Sequence, residues 1–267
     1  MTNSDITAAY YGVSPVSKIY MGSELVWPTT PVYSAMPLTF EILSAGTIVW
    51  KSTVTGLTKT IEYSLNGGEW TTMIGDTAGT TVNVAAGDIV SFKGTNEGYS
   101  QVETFGTQRR VRFYGSTCTF KLYGNILSLC YGDDFELYTA ARNTGGYNYT
   151  GMFEGTKVTD TSNLILPKSL YQSDLKYLFV NCTLLTTGPS IEAAASTARC
   201  MGAMFSGCLN LNYLKCMATD ISGSNATTDW LAGVSATGTF VKHPNMNSWT
   251  RDVNGIPTGW TVQDATI

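Results

Sequence analysis

The sequence predicts a mainly β protein built from a hairpin, a sandwich, a solenoid and a cap. Short runs that alternate apolar and polar residues are separated by Gly-rich turns, which is typical of β-strands. Helical periodicity is missing over residues 37–123. In the second half a short motif recurs every 26 residues, which indicates a solenoid. The small share of charged residues, 13%, fits a turn-rich protein with a neutral polar surface.

Residues 1–36 are predicted to form a hairpin followed by a linker. Two strand-like runs, 18–21 and 24–27, flank Gly22 and Ser23, and glycine at the first central position suits a type II′ turn. An isolated hairpin is marginally stable in water, so its apolar residues must pack against the next domain or another protein. These apolar residues are Ile19, Tyr20, Leu25, Val26 and Trp27.

Residues 37–123 are predicted to form an all-β domain. The strand-like runs are PLTFEIL, TIVW, KTIEYSL, TTVNV, DIVSF and RVRF. Short strands that recur at intervals of about 8–12 residues are typical of a sandwich of the immunoglobulin or fibronectin kind.

Residues 124–225 contain the repeat. Phe153, Phe179 and Phe205 are 26 residues apart, and each follows Met or Leu. Two positions later stand Gly, Asn and Gly, residue types that tolerate a left-handed backbone. We expect each coil to stack its Phe, and its Cys or Thr, on the next coil. The predicted repeat core is therefore Phe153, Phe179, Phe205, Cys182 and Cys208.

Residues 226–267 are predicted to form a C-terminal cap. Trp230 follows Met204 by the same 26 residues and begins the run Trp-Leu-Ala-Gly, which predicts a fourth, degenerate repeat. Trp249 and Trp260 are expected to close the open end of the solenoid, because an uncovered end would expose its core.

The repeat residues also carry a family resemblance. The segments GMFEGT, YLFVNC and AMFSGC, the last two followed by Leu185 and Leu211, resemble the BspA-like leucine-rich repeat over about residues 148–222. The first copy departs from the pattern because Thr156 stands where Cys is usual. The chain order is similar to that of surface and virion proteins of gut bacteria and their phages, through KIYMGSELVWP, EYSLNGGEWTT, KLYGNILSLCYGDDF, the repeats, KCMATDIS and TGTFVK.

This resemblance implies a non-enzymatic protein on the surface of a phage virion, as a head or tail fibre or a capsid decoration. It implies docking on other virion proteins, of the capsid or tail, through Ile19, Tyr20, Leu25, Val26 and Trp27. The sandwich and the repeats would then adhere to a host-surface protein or glycan. Fibres are usually symmetric, so we expect a homo-oligomer, a trimer or a dimer. A bacterial cell-surface adhesin and a glycan depolymerase stay open as alternatives.

Charge and segment patterns exclude several classes of partner. The 16 basic and 20 acidic residues give a net charge of −4, which argues against nucleic-acid binding. Arg109, Arg110 and Arg112 form the one basic cluster, which is interpreted as a solvated strand or loop. No apolar run reaches the roughly 18 residues of a membrane helix, so no membrane insertion is expected.

The start MTNSDITAAYYG lacks the pattern of a signal peptide, which predicts synthesis in a cytoplasm and reduced cysteines. Cys182 and Cys208 are close enough in the predicted solenoid to form a disulfide, but buried thiols are the favoured interpretation.

No catalytic, metal or cofactor motif is found in the sequence, so no enzyme activity, metal or cofactor is expected. The single histidine, His243, is interpreted as an exposed loop residue. Asp133, Asp134 and Glu136 form the best carboxylate group, and paired carboxylates can hydrolyse glycosides. The favoured interpretation is a turn after a strand LSLCYG, while the depolymerase alternative would need Asp133 or Asp134.

Aromatic side chains near the repeats are candidates for contact with a glycan. Tyrosine presents an apolar ring with a polar tip, and a solenoid offers a broad regular surface. The candidates are Tyr147, Tyr149, Tyr171, Tyr177 and Tyr213, although the favoured interpretation for each ring is packing in the core or at a sheet edge.

Overall fold

The computed structural model describes residues 32–102 and 108–267, and the backbone of four short strands nearer the N-terminus. These strands are β1 (Tyr10–Tyr11), β2 (Ser14–Pro15), β3 (Ile19–Met21) and β4 (Glu24–Trp27). Strand β1 pairs with β2 and β3 pairs with β4, both antiparallel. Residues 22–23 and the side chains of β3 and β4 lie outside the described part, so the predicted docking face stays a prediction.

Nine strands lie in the described residues between 38 and 125. They are β5 (Leu38–Ile42), β6 (Gly46–Ser52), β7 (Lys59–Leu65), β8 (Thr71–Gly75), β9 (Thr80–Val84), β10 (Ile89–Lys93), β11 (Ser100–Val102), β12 (Gln108–Arg112) and β13 (Thr119–Asn125). The six predicted runs are confirmed as β5, β6, β7, β9, β10 and β12. Strands β8, β11 and β13 were not predicted.

The second half of the chain has short strands separated by long turn segments. Its strands are β14 (Lys157–Asp160), β15 (Leu164–Ile165), β16 (Thr187–Ile191), β17 (Tyr213–Cys216), β18 (Gly238–Lys242) and β19 (Trp260–Asp264). The protein is therefore mainly β, as the sequence predicts.

The predicted strand LSLCYG is wrong, because this segment forms the short helix α1 (Ser128–Tyr131), followed by a 3-10 helix at Gly132–Leu137. Asn125 Oδ1 accepts the Leu127 N–H at 3.0 Å just before the helix. The buried Ser128 hydroxyl accepts the Leu38 N–H and donates to the Phe92 carbonyl, which ties the helix to two neighbouring strands.

One sheet continues through both halves of the described chain. Its strand order is β19-β18-β17-β16-β14-β13-β5-β10-β7-β8, and β15 also pairs with β13. Pairing is antiparallel between β8 and β13 and parallel between β13 and β19. The predicted division between residues 123 and 124 falls inside β13, whose backbone pairs with β5 on one side and β14 on the other.

A second sheet, in the order β11-β12-β6-β9, packs against the first through aromatic side chains. The Phe113 ring centroid lies 5.0 Å from that of Trp50 on β6 and 4.9 Å from that of Phe40 on β5. Both sheets therefore share one aromatic core.

The repeats form a β-solenoid of about four turns, or coils. In each coil a turn segment precedes a strand: 147–155 before β14, 173–181 before β16, 199–207 before β17 and 225–233 before β18. Every turn segment has positive φ at three residues spaced four apart. These are Tyr147, Gly151 and Gly155; Ser173, Tyr177 and Asn181; Arg199, Ala203 and Gly207; and Asn225, Asp229 and Gly233. The surface that these segments form is called the turn face.

Hydrogen bonds between coils stabilise the turn segments. Along each segment, alternate backbone N–H groups donate to carbonyls of the next coil. The bonds from Phe153 to Leu178, from Phe179 to Met204 and from Phe205 to Trp230 measure 3.0, 2.9 and 2.9 Å. The same pattern joins the third coil to the fourth, which confirms the degenerate fourth repeat.

The solenoid core is a ladder of stacked rings. Phe153, Phe179 and Phe205 are fully buried, with centroids 5.4 and 5.6 Å apart and nearly parallel planes. Phe113 stacks on Phe153 at 5.6 Å, so the ladder joins the core of the sheets. At the other end Trp249 stacks on Trp230 of the fourth coil at 5.2 Å, and Trp260 donates its Nε1–H to the Ser235 carbonyl.

Candidate functional site

The five predicted ligand-binding tyrosines have different environments. Tyr149 is fully buried, and its hydroxyl is 3.1 Å from Cys130 Sγ. Tyr149 is therefore removed from the predicted ligand-binding residues, because its ring lies in the core. The Tyr149 N–H donates to the Asp174 carbonyl of the next coil.

Three further tyrosines differ from one another in burial and in hydrogen bonding. Tyr147 is half-buried, and its hydroxyl accepts a hydrogen bond from Gln172 Nε2 at 2.7 Å. Tyr171 is half-buried and donates its backbone N–H to Asp174. Tyr213 is exposed on β17, outside the turn segments.

Tyr177, in the second turn segment, is the tyrosine that polar and charged groups surround. The Lys176 Nζ atom lies 4.5 Å from its ring centroid and the Arg110 guanidinium carbon lies 5.2 Å away. The ring is half-buried. It belongs to the turn face at the point where β12 approaches the coils.

Tyr177 and Ala203 together line two neighbouring depressions of about 390 and 300 Å³. Arg110, Glu154 and Asn181 are further lining residues of the first depression. Lys176, Arg199 and Asp229 are further lining residues of the second. We call the two depressions together the Tyr177 groove. Volumes of this size are in the lower range of small-ligand sites.

Strand β12 brings arginines to the groove because the second sheet bonds directly to the first coil. The Tyr99 N–H donates to the Asn148 carbonyl and the Phe113 N–H to the Met152 carbonyl, at 3.0 and 3.1 Å. Arg110 and Arg112, two positions apart, point to the same side of their strand. The interpretation of this cluster as solvated is wrong for Arg112, which is 8% exposed.

Glu154 pairs with both arginines at the edge of the groove. Arg110 Nη1 donates to Glu154 Oε2, and Arg112 Nη1 lies 2.6 Å from the same oxygen. Burial lowers the pKa of the Arg110 guanidinium, and the Glu154 carboxylate opposes that effect. The Glu154 carboxylate therefore forms ion pairs with two arginines.

The backbone at Tyr177 is left-handed, with φ of +60°. The equivalent residues in the other coils are Gly151, Ala203 and Asp229, which also have positive φ. A large side chain in this conformation carries a steric cost, and such positions cluster at functional sites. The hydrogen bond from the Tyr177 N–H to the Gly202 carbonyl, 3.0 Å long, helps hold the conformation.

A buried carboxylate supports the same pair of coils from inside. Asp174 is fully buried and accepts hydrogen bonds from the Asn148 backbone and side chain, at 3.2 and 2.7 Å, and from the Tyr171 N–H at 2.8 Å. Burial raises the pKa of Asp174, against the effect of these donors. The group joins the first coil to the second and lies in the core.

The predicted repeat-core cysteines are free and buried, as favoured from the sequence. Cys182 and Cys208 donate their thiol protons to the carbonyls of Phe153 and Phe179 in the preceding coil, both at 3.0 Å. Thr156 takes the equivalent place in the first coil and donates to the Phe153 carbonyl at 2.9 Å.

The remaining sequence candidates lie away from the groove. Asp133 forms an exposed ion pair with Lys93 at 2.9 Å, and Asp134 and Glu136 are exposed on the same 3-10 helix. His243 is half-buried and accepts the Asn245 N–H on Nδ1. In the ranges 32–102 and 108–267, no three His, Cys, Asp or Glu side chains are grouped as metal ligands would be.

Most charged residues of the groove were missed from the sequence. Arg110, Glu154, Lys176, Arg199 and Asp229 come from five different segments, and single-sequence patterns do not bring them together. One signal was available: aligning the turn segments at the period of 26 places Tyr177 with Gly151, Ala203 and Asp229. A bulky aromatic residue in a column of small or polar residues marks the site.

Among the described residues, no helix has the length and apolar character needed to span a bilayer. Comparisons of the chain with protein-family models, with curated proteins and with solved structures gave no match.

Proposed function

We propose that this chain is a non-enzymatic protein of a phage virion surface that adheres to a host-surface glycan through the turn face of its solenoid. The observation that carries the adhesion part is the Tyr177 groove. It combines an aromatic ring, cations and carboxylates on a backbone that hydrogen bonds hold from coil to coil. A preorganised surface of this kind loses little conformational entropy on binding.

The virion part rests on the resemblance of the chain layout to phage and bacterial surface proteins. In this proposal the hairpin residues Ile19, Tyr20, Leu25, Val26 and Trp27 dock on a capsid or tail protein. Residues 37–123 act as an immunoglobulin- or fibronectin-like spacer, and the BspA-like repeats project toward the host. The assembled protein is a dimer or trimer, which multiplies weak contacts with a repeating glycan.

Mass spectrometry tests the location directly. Gradient-purified phage particles and the membrane fraction of uninfected cells are compared, and the copy number per particle is determined. We expect dozens to hundreds of copies per particle. Presence only in the membrane fraction of uninfected cells would contradict the virion role and favour a bacterial adhesin.

Docking is tested with Trp27→Asp and Tyr20→Asp. We expect both variants to be lost from purified particles while the soluble protein stays folded. Val32→Asp, at a residue that is 64% exposed, is the matched control and should be incorporated normally. Normal assembly of the Trp27 and Tyr20 variants would show that the N-terminal strands do not dock.

Self-association is tested by light scattering at micromolar concentration. A dimer or trimer is expected for the full chain. A monomer under these conditions would contradict association through the chain's own surfaces.

A further inference from the structure

We propose that the ligand of the Tyr177 groove is an acidic saccharide, recognised through its carboxylate or sulfate groups. This inference rests on the proposed function and specifies the ligand class of the same surface. Three observations support it: the charge of the groove, the donors that lack acceptors, and the cations that flank the ring.

The groove concentrates positive charge on an acidic protein. Arg110, Lys176 and Arg199 line it, whereas the whole chain has a net charge of −4. Of the two lining carboxylates, Glu154 is already paired with Arg110 and with Arg112 behind it. Asp229 is then the remaining negative charge, so the local field attracts anions.

Arg110 and Arg112 on β12 keep donors without acceptors. The Nε atoms of Arg110 and Arg112 are buried and have no hydrogen-bond partner. Arg110 also lines the first depression, so its guanidinium is next to the space that an oxyanion would occupy. The planar guanidinium matches the geometry of a carboxylate or sulfate group.

The Tyr177 ring lies in contact with two cationic side chains, and we interpret its role as positioning them. Lys176 Nζ and the Arg110 guanidinium carbon lie within 4.5 and 5.2 Å of its centroid, which is the range of cation–π contact. A neutral sugar that stacks on a face covered by one of these cations would have to displace it. An acidic sugar would instead bind the cations that the ring holds in place.

The size and charge pattern favour a saccharide over a nucleic acid. The groove extends from Glu154 in the first coil to Asp229 in the fourth, about 14 Å at the usual spacing of adjacent strands. A nucleic acid needs a longer line of cations along its backbone.

Calorimetry on the full chain tests the ligand class. The probes are tetragalacturonate, its carboxyl-reduced neutral counterpart, a sulfated tetrasaccharide and a short oligo-dT. At least one acidic saccharide should bind about tenfold or more tightly than the neutral one, and added NaCl should weaken that binding. Binding of intact host cells is measured in parallel.

Two variants test the residues. Arg199→Asn should weaken binding of the acidic saccharide about tenfold, and its fold should persist because Asn225 occupies the equivalent left-handed position. Lys157→Gln removes an exposed cation on β14, away from the lining residues, and should bind like the wild type.

Equal affinity for neutral and acidic saccharides, lost in Tyr177→Gly, would overturn the inference and leave the adhesive function standing. If the protein bound host cells but neither acidic saccharide, the inference would also be overturned and the adhesive function would still stand. Tighter binding of oligo-dT would replace the saccharide with a nucleic acid. Failure to bind host cells would contradict the proposed function itself.

Discussion

Left-handed residues at three fixed places in each turn segment give the solenoid its local geometry. Glycine occupies some of these places, such as Gly207, but Tyr177 and Arg199 occupy others. L-residues other than Gly, Asn and Asp rarely adopt this conformation because the Cβ atom crowds the backbone. The regular hydrogen bonds between coils offset that cost. The chain therefore keeps large side chains at strained positions on the turn face.

Tyr177→Gly should remove the ring at a small cost in stability. Glycine relieves the crowding at φ +60°, and this gain offsets the lost contacts with Arg110 and Lys176. We expect the free energy of unfolding to change by less than about 1 kcal/mol, measured by chemical denaturation. Tyr213→Gly, on strand β17, is the matched control and should cost about 1 kcal/mol or more. Equal losses would show that backbone strain at Tyr177 is negligible.

The six cysteines should resist alkylation in the native protein. All six are buried, and burial raises the pKa of Cys130 to about 11 and of Cys182 and Cys216 to about 12. The thiolate is the reactive form, so iodoacetamide at pH 8 should label none of them until denaturant is added. Mass spectrometry counts the labels, and rapid labelling of any cysteine in the folded protein would contradict this burial.

The same pKa shifts predict alkaline sensitivity. Because the folded values exceed those of the unfolded chain, the neutral thiols stabilise the fold at pH values below about 9. That contribution to the free energy of unfolding is lost as the pH rises through about 11–12. In Cys182→Ala the fall in stability over this pH range should be smaller than in the wild type, measured by denaturation at each pH. An unchanged pH dependence would exclude Cys182 as a contributor.

At the scale of elements, the Phe ladder is the part of the fold that the sequence predicted best. A strict period with apolar residues at fixed offsets reports directly on stacking, which is a local and repeated interaction. The groove beside the ladder could not be predicted in the same way. Arg110 and Glu154 are distant in sequence and meet only because the Tyr99 and Phe113 amides bond the first coil.

Phe179→Ala should strongly destabilise the protein. Phe179 is the middle ring of the ladder and is fully buried between Phe153 and Phe205. Loss of a buried aromatic side chain costs about 3–5 kcal/mol, because the cavity does not close completely. Chemical denaturation measures the loss. Leu209→Ala, at a residue that is 60% exposed in the next turn, is the control and should cost less than about 0.5 kcal/mol.

Strand β13 and helix α1 are two elements that the sequence pattern did not predict correctly. Strand β13 was not predicted, although it pairs with both β5 and β14. The apolar run that follows it resembles a strand in composition, yet it forms a helix. Asn125 accepts the nearby Leu127 N–H, and Ser128 accepts the distant Leu38 N–H. A short apolar run does not distinguish a buried strand from a buried helix.

At the scale of the whole molecule, one sheet and one aromatic core join the two halves. Phe113 contacts Phe40 on the antiparallel side and Phe153 in the first coil. Breaking the molecule at β13 would expose this shared core and separate paired backbone groups. The described part of the chain is thus built as one unit, although the sequence predicts separate segments.

Residues 32–267 should unfold in one cooperative transition. Near-UV circular dichroism reports the aromatic core and far-UV circular dichroism reports the sheet, and the two denaturation curves should coincide. Phe40→Ala and Phe179→Ala should shift the same transition to lower denaturant. Two separated transitions, each shifted by only one of these variants, would show that the halves fold independently.

The backbone hydrogen bonds between turn segments allow the solenoid to vary in length. The second and third coils make the same backbone bonds to the coil before and the coil after, so duplication of such a 26-residue unit leaves both ends of the solenoid unaltered. One inserted copy lengthens the rod by about 4.8 Å, the spacing of adjacent strands. Length can therefore be inherited in whole steps by in-frame duplication, while the antiparallel strands before the first coil and the tryptophan cap stay unchanged.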